Sequence, residues 1–396
     1  MGLANVKEQL VPGCHYGCTY CAGRGPDNPF SPQPSAIKRC PPLEYYRFES
    51  FSPRGRFWLA MGEYLHKQRI DDSVIKSMYT CVNCKTCDEL CFVHTGKVTE
   101  VFREMRKEIV DQGLGPPPAC RKVDASLASK HNPFGSPPEN RRKWAAGLDL
   151  PQTGDTLYFA GCHTAWRNPE IGKSVVNILR AAGASPAYLA ETERCCGTHA
   201  YWDGQEDVAL DLAKHNIQAM KASGAKTVIF SCAQCYRTFK HDYPKLLGEE
   251  LPFETAHLAE FVAPLVAEGA ISFNDKPQTK RVAFHDPCQL GRGMGVYEDP
   301  RAVLRAIPGI ELVEMERHSQ NAACCGDGCQ VVTTAYPDLA RATARDRVEE
   351  AKSAAEVLVT ACPNCYEALS RAARTQKSGM QVIDMATLLS EALTKG

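Results

Sequence analysis

The chain has 396 residues, with 46 basic and 46 acidic side chains and a formal net charge of zero. That balance gives no reason to expect nucleic acid or an anionic membrane as partner, and ordinary glycine and proline contents exclude a fibrous or disordered chain. Twenty cysteines are the outlier. Disulfide scaffolds reach such counts in short secreted chains, so thiols clustered in a chain this long point to metal ligation in a reduced compartment.

The opening MGLANVKEQL has no apolar secretory stretch, and Val6 spoils the N-myristoylation pattern. No run of about eighteen apolar residues occurs. A cytoplasmic chain without a membrane span is the expectation, with any contact to the inner face of a membrane made through a partner.

Residues 1–112 form the first expected unit, mainly helical. Phe57, Met61, Tyr64 and Leu65 lie at helical spacing, as do Val98, Val101, Phe102, Met105 and Ile109. Between them, Cys81, Cys84, Cys87 and Cys91 have the spacing C-x2-C-x2-C-x3-C. That run wraps three corners of a cubane 4Fe–4S cluster and sends its last cysteine to another. Phe92 stands where a proline is usual. Cys14, Cys18, Cys21 and Cys40 make a looser partner set, with Pro41 after it. With the usual exchange, one cubane takes Cys14, Cys18, Cys21 and Cys91, and the other takes Cys40, Cys81, Cys84 and Cys87. Structural zinc is the alternative for either set. A radical-SAM site is set aside, because Cys40 supplies a fourth ligand where that chemistry needs an open iron.

Residues 113–154 are rich in proline and charge and read as a linker, with Cys120 as a free loop thiol. Residues 155–272 and 273–396 are two copies of one repeat. TLYFAGC, ending at Cys162, matches RVAFHDPC, ending at Cys288. Helices are expected over 171–182 and, shorter, over 302–307. RCCG at 194–197 and ACCG at 323–326 follow, then helices over 207–222 and 339–355. Strands then deliver Cys232 and Cys235 in one copy, Cys362 and Cys365 in the other. The alternation predicts Rossmann-like α/β units with parallel strands, within an α+β chain, and puts the cysteines at the carboxyl ends of strands, where sites form.

Adjacent cysteines serve a regular cube poorly, because successive side chains diverge. Cys195-Cys196 and Cys324-Cys325 suit an irregular cluster in which one thiolate bridges. Gly197 and Gly326 let the backbone approach inorganic sulfur and free amides to bond it. His163 and His285 read as donors to cluster sulfur, as proton carriers, or as satisfied packing neighbours. Tyr236 and Tyr366 are expected to pack over the clusters, and Arg54 and Arg56 to dock the first unit, shield cluster charge or cap a helix. Cys329 is taken as a buried structural thiol, with a resolving thiol or spare ligand as alternatives. His199, Trp166 and Arg167 are candidates for a pocket between the repeats.

Together these motifs resemble the catalytic iron–sulfur subunits of heterodisulfide reductase and their relatives, the iron–sulfur subunits of glycolate oxidase and anaerobic glycerol-3-phosphate dehydrogenase. The likeness runs nearly the whole length and includes Ser52-Pro53-Arg54-Gly55-Arg56 and the stretch from His285 to Arg292. It implies a noncubane 4Fe–4S cluster in each complete repeat, with a substrate disulfide cleaved between the two. All ten cysteine positions are filled. The implied function is an iron–sulfur oxidoreductase subunit passing electrons between a flavoprotein or other iron–sulfur partner and those clusters. No G-x-G-x-x-G follows a strand, so a flavin or nicotinamide belongs on the partner. The alternatives are a substrate-free relay in a bifurcating, aryl-CoA reductase, organic-acid dehydrogenase or membrane-linked complex, and a zinc-bound assembly scaffold.

Overall fold

The structure is a computed structural model that describes residues 40–91, 97–274 and 280–394. Cys14, Cys18, Cys21 and Phe92 lie outside the described residues. No helix among those described is long and apolar enough to cross a membrane.

Both helical patterns of the first unit form as expected. Ser52-Pro53-Arg54-Gly55-Arg56 opens the helix Pro53–His66. Ser52 Oγ accepts from Gly55 N at 2.9 Å, and Pro53 takes the first helical position, where no N–H is needed. A Cβ on Gly55 would stand 2.0 Å from Glu49 O, so only glycine fits. Arg56 is fully buried and donates to Ser77 O, Phe51 O and Thr80 Oγ1. Its partners all lie within the first unit, so it ties that unit's own helices together beside Cys40 rather than docking the unit onto the repeats, and the capping falls to Ser52. The helix Val98–Asp111 buries Val101, Phe102, Met105 and Ile109 along one face.

Segment 113–154 is more than a connection. Its helix Pro118–Lys130 and the 3-10 stretch Pro138–Ala145 carry Cys120, Leu127, Arg141 and Trp144 into the core. Cys120 therefore sits in the first turn of a helix, wholly buried, and is no loop thiol.

Each repeat is a four-stranded parallel sheet. The first orders β1 (Thr156–Phe159), β2 (Pro186–Ala187), β3 (Thr227–Phe230) and β4 (Glu254–His257) as β2-β1-β3-β4. The second orders β5 (Lys280–His285), β6 (Ile310–Val313), β7 (Val357–Thr360) and β8 (Gln381–Asp384) as β6-β5-β7-β8. The central pairs β1–β3 and β5–β7 are the apolar strands read from the sequence. The other four strands are two residues long or half-exposed, and carry little alternation to read. In the second repeat the helix Glu298–Arg305 replaces the expected 302–307. Glu298 and Asp299 favour an earlier start at the positive end of the helix dipole, and Pro308-Gly309 stops it.

The repeats pack reciprocally. The last helix of the first, Leu258–Ala267, lies on Glu298–Arg305, the first long helix of the second. The last helix of the second, Met385–Ala392, lies on Pro169–Ala181 of the first. This is a pseudo-two-fold arrangement, and it brings the strand ends of both sheets toward one another.

Candidate functional site

In each sheet the chain leaves β1 or β5 toward one edge and β3 or β7 toward the other. A crevice therefore opens at the carboxyl ends of the central pair, at the topological switch point. Cys162 follows β1, Cys232 and Cys235 follow β3, and Cys195-Cys196 arrives after β2. All five are buried and line one cavity of about 340 Å³. Their thiols touch in the order Cys162, Cys195, Cys196, Cys235, Cys232. The second repeat reproduces that order as Cys288, Cys324, Cys325, Cys365, Cys362, around about 270 Å³. Cys232 and Cys362 also touch, so ten thiols form one line through the pseudo-dyad.

The turns between adjacent cysteines supply amide donors. Gly197 N lies 3.5 Å from Cys195 Sγ, and Gly326 N lies 3.3 Å from Cys324 Sγ. Gly326 has φ +87°, and a Cβ there would stand 2.6 Å from Ala340 O. Gly197 has φ +77° but looser surroundings, the nearest atom being 3.4 Å away.

Such packed thiols cannot all ionise by themselves. Burial drives Cys162 well above the ordinary thiol value, and contact with Cys324, then burial, does the same to Cys288. Hydrogen bonds from Cys324, then Cys365, bring Cys325 down to about 7. Five soft donors around one cavity, all buried in the first repeat and all but Cys288 in the second, with amides aimed at sulfur, fit an iron–sulfur cluster, whose cations would hold all five as thiolates.

Charged groups the sequence did not flag surround the thiols. Arg141, from the 3-10 stretch, donates to Cys162 Sγ at 3.4 Å and pairs with Glu193 at 3.1 Å. Glu193 accepts from the amides of Gly161 and Ala160 at 2.9 and 3.0 Å, while burial pushes its carboxyl up to about 7. Arg347 Nε donates to His285 Nδ1 at 3.1 Å, which leaves the imidazole proton on Nε2. Burial, then Arg347, push His285 down to about 3. It is neutral at physiological pH, a poor proton carrier and a good donor, and one ring nitrogen lies within 4.8 Å of the sulfurs of Cys325 and Cys365.

Between the repeats, Gln234 and Asn364 occupy the same place in the two C-x2-C segments. Asn364 Nδ2 donates to Gln234 Oε1 at 3.0 Å, and Gln234 Nε2 to Asp327 Oδ2 at 2.8 Å. Beside them a cleft of about 960 Å³ reaches Cys325, walled by Phe134, His163, Arg167, Gln330 and Arg371. His163 Nδ1 lies 2.8 Å from Glu367, and its Nε2 contacts Gln330. Of the pocket candidates, Arg167 lines the cleft. Trp166 stacks under Arg141 instead, and His199 is buried against Asp203. Tyr236 turns toward Phe230, His257 and Lys240 rather than the thiols, and Tyr366 lines neither thiol cavity. Cys329 is buried beside the second cavity.

Cys40, Cys81, Cys84 and Cys87 surround a third cavity, of about 330 Å³, with Arg56 on its wall. Burial pushes Cys40 up to about 12. Cys91 is half-buried and stands outside that cavity. The third cavity abuts the second repeat: Val82 lines both, Arg292 Nε donates to Cys84 O at 2.6 Å, and Gln289 Nε2 to Asn83 O at 2.8 Å.

Residues 156–240 and 282–370 each match the cysteine-rich CCG domain. The chain is 36% identical over 321 residues to one component of the dihydromethanophenazine:CoB–CoM heterodisulfide reductase of Methanosarcina barkeri, covering 80% of this chain and 78% of that one. It is 30% identical over 300 residues to one component of the CoM/CoB fumarate reductase of Methanothermobacter marburgensis, covering 75% and 58%. A hypothetical protein from Helicobacter pylori shares the fold at TM-score 0.59 and 11% identity, over 86% of this chain and 68% of that one. With ten matched thiols at the two switch points, the chain belongs to the CCG-domain iron–sulfur oxidoreductase subunits, the family that includes this heterodisulfide reductase component.

Proposed function

We propose that the chain is the iron–sulfur subunit of a heterodisulfide-reductase-like oxidoreductase complex. Cys162, Cys195, Cys196, Cys232 and Cys235 hold one noncubane 4Fe–4S cluster. Cys288, Cys324, Cys325, Cys362 and Cys365 hold the other. Cys40, Cys81, Cys84 and Cys87 hold a cubane cluster, and Cys91 completes a second with Cys14, Cys18 and Cys21. Residues 1–112 are the ferredoxin-like unit, 113–154 strap it to the repeats, and 155–272 and 273–396 are the two cluster-bearing repeats. The clusters, when bound, supply electrons one at a time.

The adjacency of the three cysteine-lined cavities carries this reading. They run from the Cys81–Cys87 loop past Val82 and Arg292 to Cys288, and cross the pseudo-dyad at Cys362 and Cys232. A flavoprotein or other iron–sulfur partner feeds the ferredoxin end, in the cytoplasm, and makes any membrane contact itself. The cleft beside Cys325 receives a disulfide. Arg167, Arg341 and Arg371 give its rim positive charge, Phe134 offers an apolar face, and His163, oriented by Glu367, is placed to hand over a proton. The disulfide takes two electrons and two protons and leaves as two thiols.

Anoxic complex reduced with a low-potential dye tests this. Adding a mixed disulfide is expected to release thiols and to alter the paramagnetic cluster spectra. Unchanged spectra and no thiol would leave the chain an electron relay, the reading favoured by its likeness to a fumarate reductase component.

A further inference from the structure

A second group of donors lies apart from the ten repeat cysteines. Cys120 and Asp124 are four residues apart on the helix Pro118–Lys130, and His199 and Asp203 are four apart on Thr198–Asp203. That spacing puts each pair on one helix face, and the two helices pack together. Cys120, His199 and Asp203 have no exposed surface, and Asp124 only 6%.

His199 Nε2 lies 3.3 Å from Asp203 Oδ2 and 3.8 Å from Asp124 Oδ1. These approaches lack hydrogen-bond geometry. Neither nitrogen of His199, neither oxygen of Asp124, nor Oδ2 of Asp203 makes a hydrogen bond. Cys120 Sγ reaches only Val331 O, at 4.0 Å. Protonation of His199 and of one carboxyl offsets part of the charge in this cluster but leaves its buried polar atoms without hydrogen bonds, whereas a divalent cation among them would engage all four donors. A tetrahedral ion with bonds of about 2.0–2.3 Å sets its ligands about 3.3–3.7 Å apart. The His199–Asp203 separation matches such an edge, the His199–Asp124 separation is slightly longer, and the donor atoms of Cys120, His199 and Asp203 all lie within 4.8 Å of one another, with Asp124 beside that trio as the fourth donor to close on an ion.

We propose that Cys120, Asp124, His199 and Asp203 hold a single structural zinc ion that pins the 113–154 segment to the first repeat. Four protein ligands of mixed softness, closed to solvent, suit zinc in a structural role. The ion anchors the helix that follows Cys195-Cys196-Gly197 and so fixes that turn. The second repeat has no counterpart, since Gly328 and Val332 stand where His199 and Asp203 would. The repeats would then differ in how firmly their adjacent-cysteine turns are held.

Zinc, iron and sulfide analysis of the anoxically purified full chain, with zinc-edge X-ray absorption, tests the proposal. The expected result is about one zinc per chain besides the iron, with one sulfur and three nitrogen or oxygen neighbours. Cys120→Ser should keep the zinc and lose the sulfur neighbour, while the double variant Cys120→Ala/Asp124→Ala should lose the zinc and retain the iron and sulfide. A wild-type chain replete in iron but without zinc overturns the proposal. So does zinc with four sulfur neighbours, or a sulfur neighbour that survives Cys120→Ser.

Discussion

At the scale of single residues, the two glycines after the cysteine pairs separate sharply. Gly326→Ala must push Cβ into Ala340 O at 2.6 Å while holding φ at +87°. The backbone term alone is about 1–2 kcal/mol, and the clash adds to it. Gly197→Ala meets nothing nearer than 3.4 Å, so the backbone term is most of its cost. Iron and sulfide per chain should therefore fall further in Gly326→Ala than in Gly197→Ala. The buried pair Arg141–Glu193 gives a second test. Arg141→Met removes the cation that lowers Glu193, so the carboxyl takes up a proton at neutral pH; the stability loss should be about 3 kcal/mol or less there and grow as pH rises above about 7, a growth that Arg141→Met/Glu193→Gln should not show. Anoxic urea unfolding reads both. The glycines were legible because they follow each cysteine pair in both repeats. Arg141 was not: it approaches from a segment that looked like a linker, and nothing local in PPENRRKW marks one arginine as buried.

At the scale of elements, Glu100 on the helix Val98–Asp111 joins the first unit to the first repeat. It lies 3.9 Å from Lys85, 3.6 Å from Arg103 and 3.6 Å from Arg237. Burial works to raise its carboxyl, but Lys245, Lys85, Arg237 and Arg103 outweigh burial and hold it at about 2. A depressed carboxylate stabilises the fold above its unfolded value, and the effect is lost as pH falls through the folded one. Glu100→Gln should therefore reduce stability by about 3 kcal/mol at neutral pH. The gap to wild type should stay flat down to about pH 4.5 and shrink between there and pH 2. Denaturant unfolding across that range checks both size and window. The long amphipathic helices and four central strands were readable because each buries one continuous apolar face or run. β4, β6 and β8 were not, because half-exposed edge residues such as Glu254 and Glu311 break the pattern.

At the scale of the whole molecule, the pseudo-dyad makes two crevices into one site. Gln234 and Asn364 meet on it, and they share Asp327. Gln234→Leu removes the short bonds from Gln234 to both Asn364 and Asp327 and leaves Asn364 only its long 3.5 Å contact with Asp327 across the pseudo-dyad. It should loosen contact between the repeats and slow electron passage from the second to the first, while each repeat keeps its iron. Freeze-quenched spectra after mixing with reductant would resolve the two reduction phases. The repeat itself was plain in the sequence, because ten cysteines recur in register. Its reciprocal packing was not, since helices such as Leu258–Ala267 carry no mark of the partner they will meet.

Electron transfer through the repeats requires that each set of five thiols grip iron and sulfide at a strand switch point. An anoxic crystal structure with iron anomalous scattering tests it directly. The expected map shows two iron–sulfide clusters, one enclosed by Cys162, Cys195, Cys196, Cys232 and Cys235 and one by their five counterparts. Thiols that are bare, joined as disulfides, or wrapped around lone metal ions would contradict it.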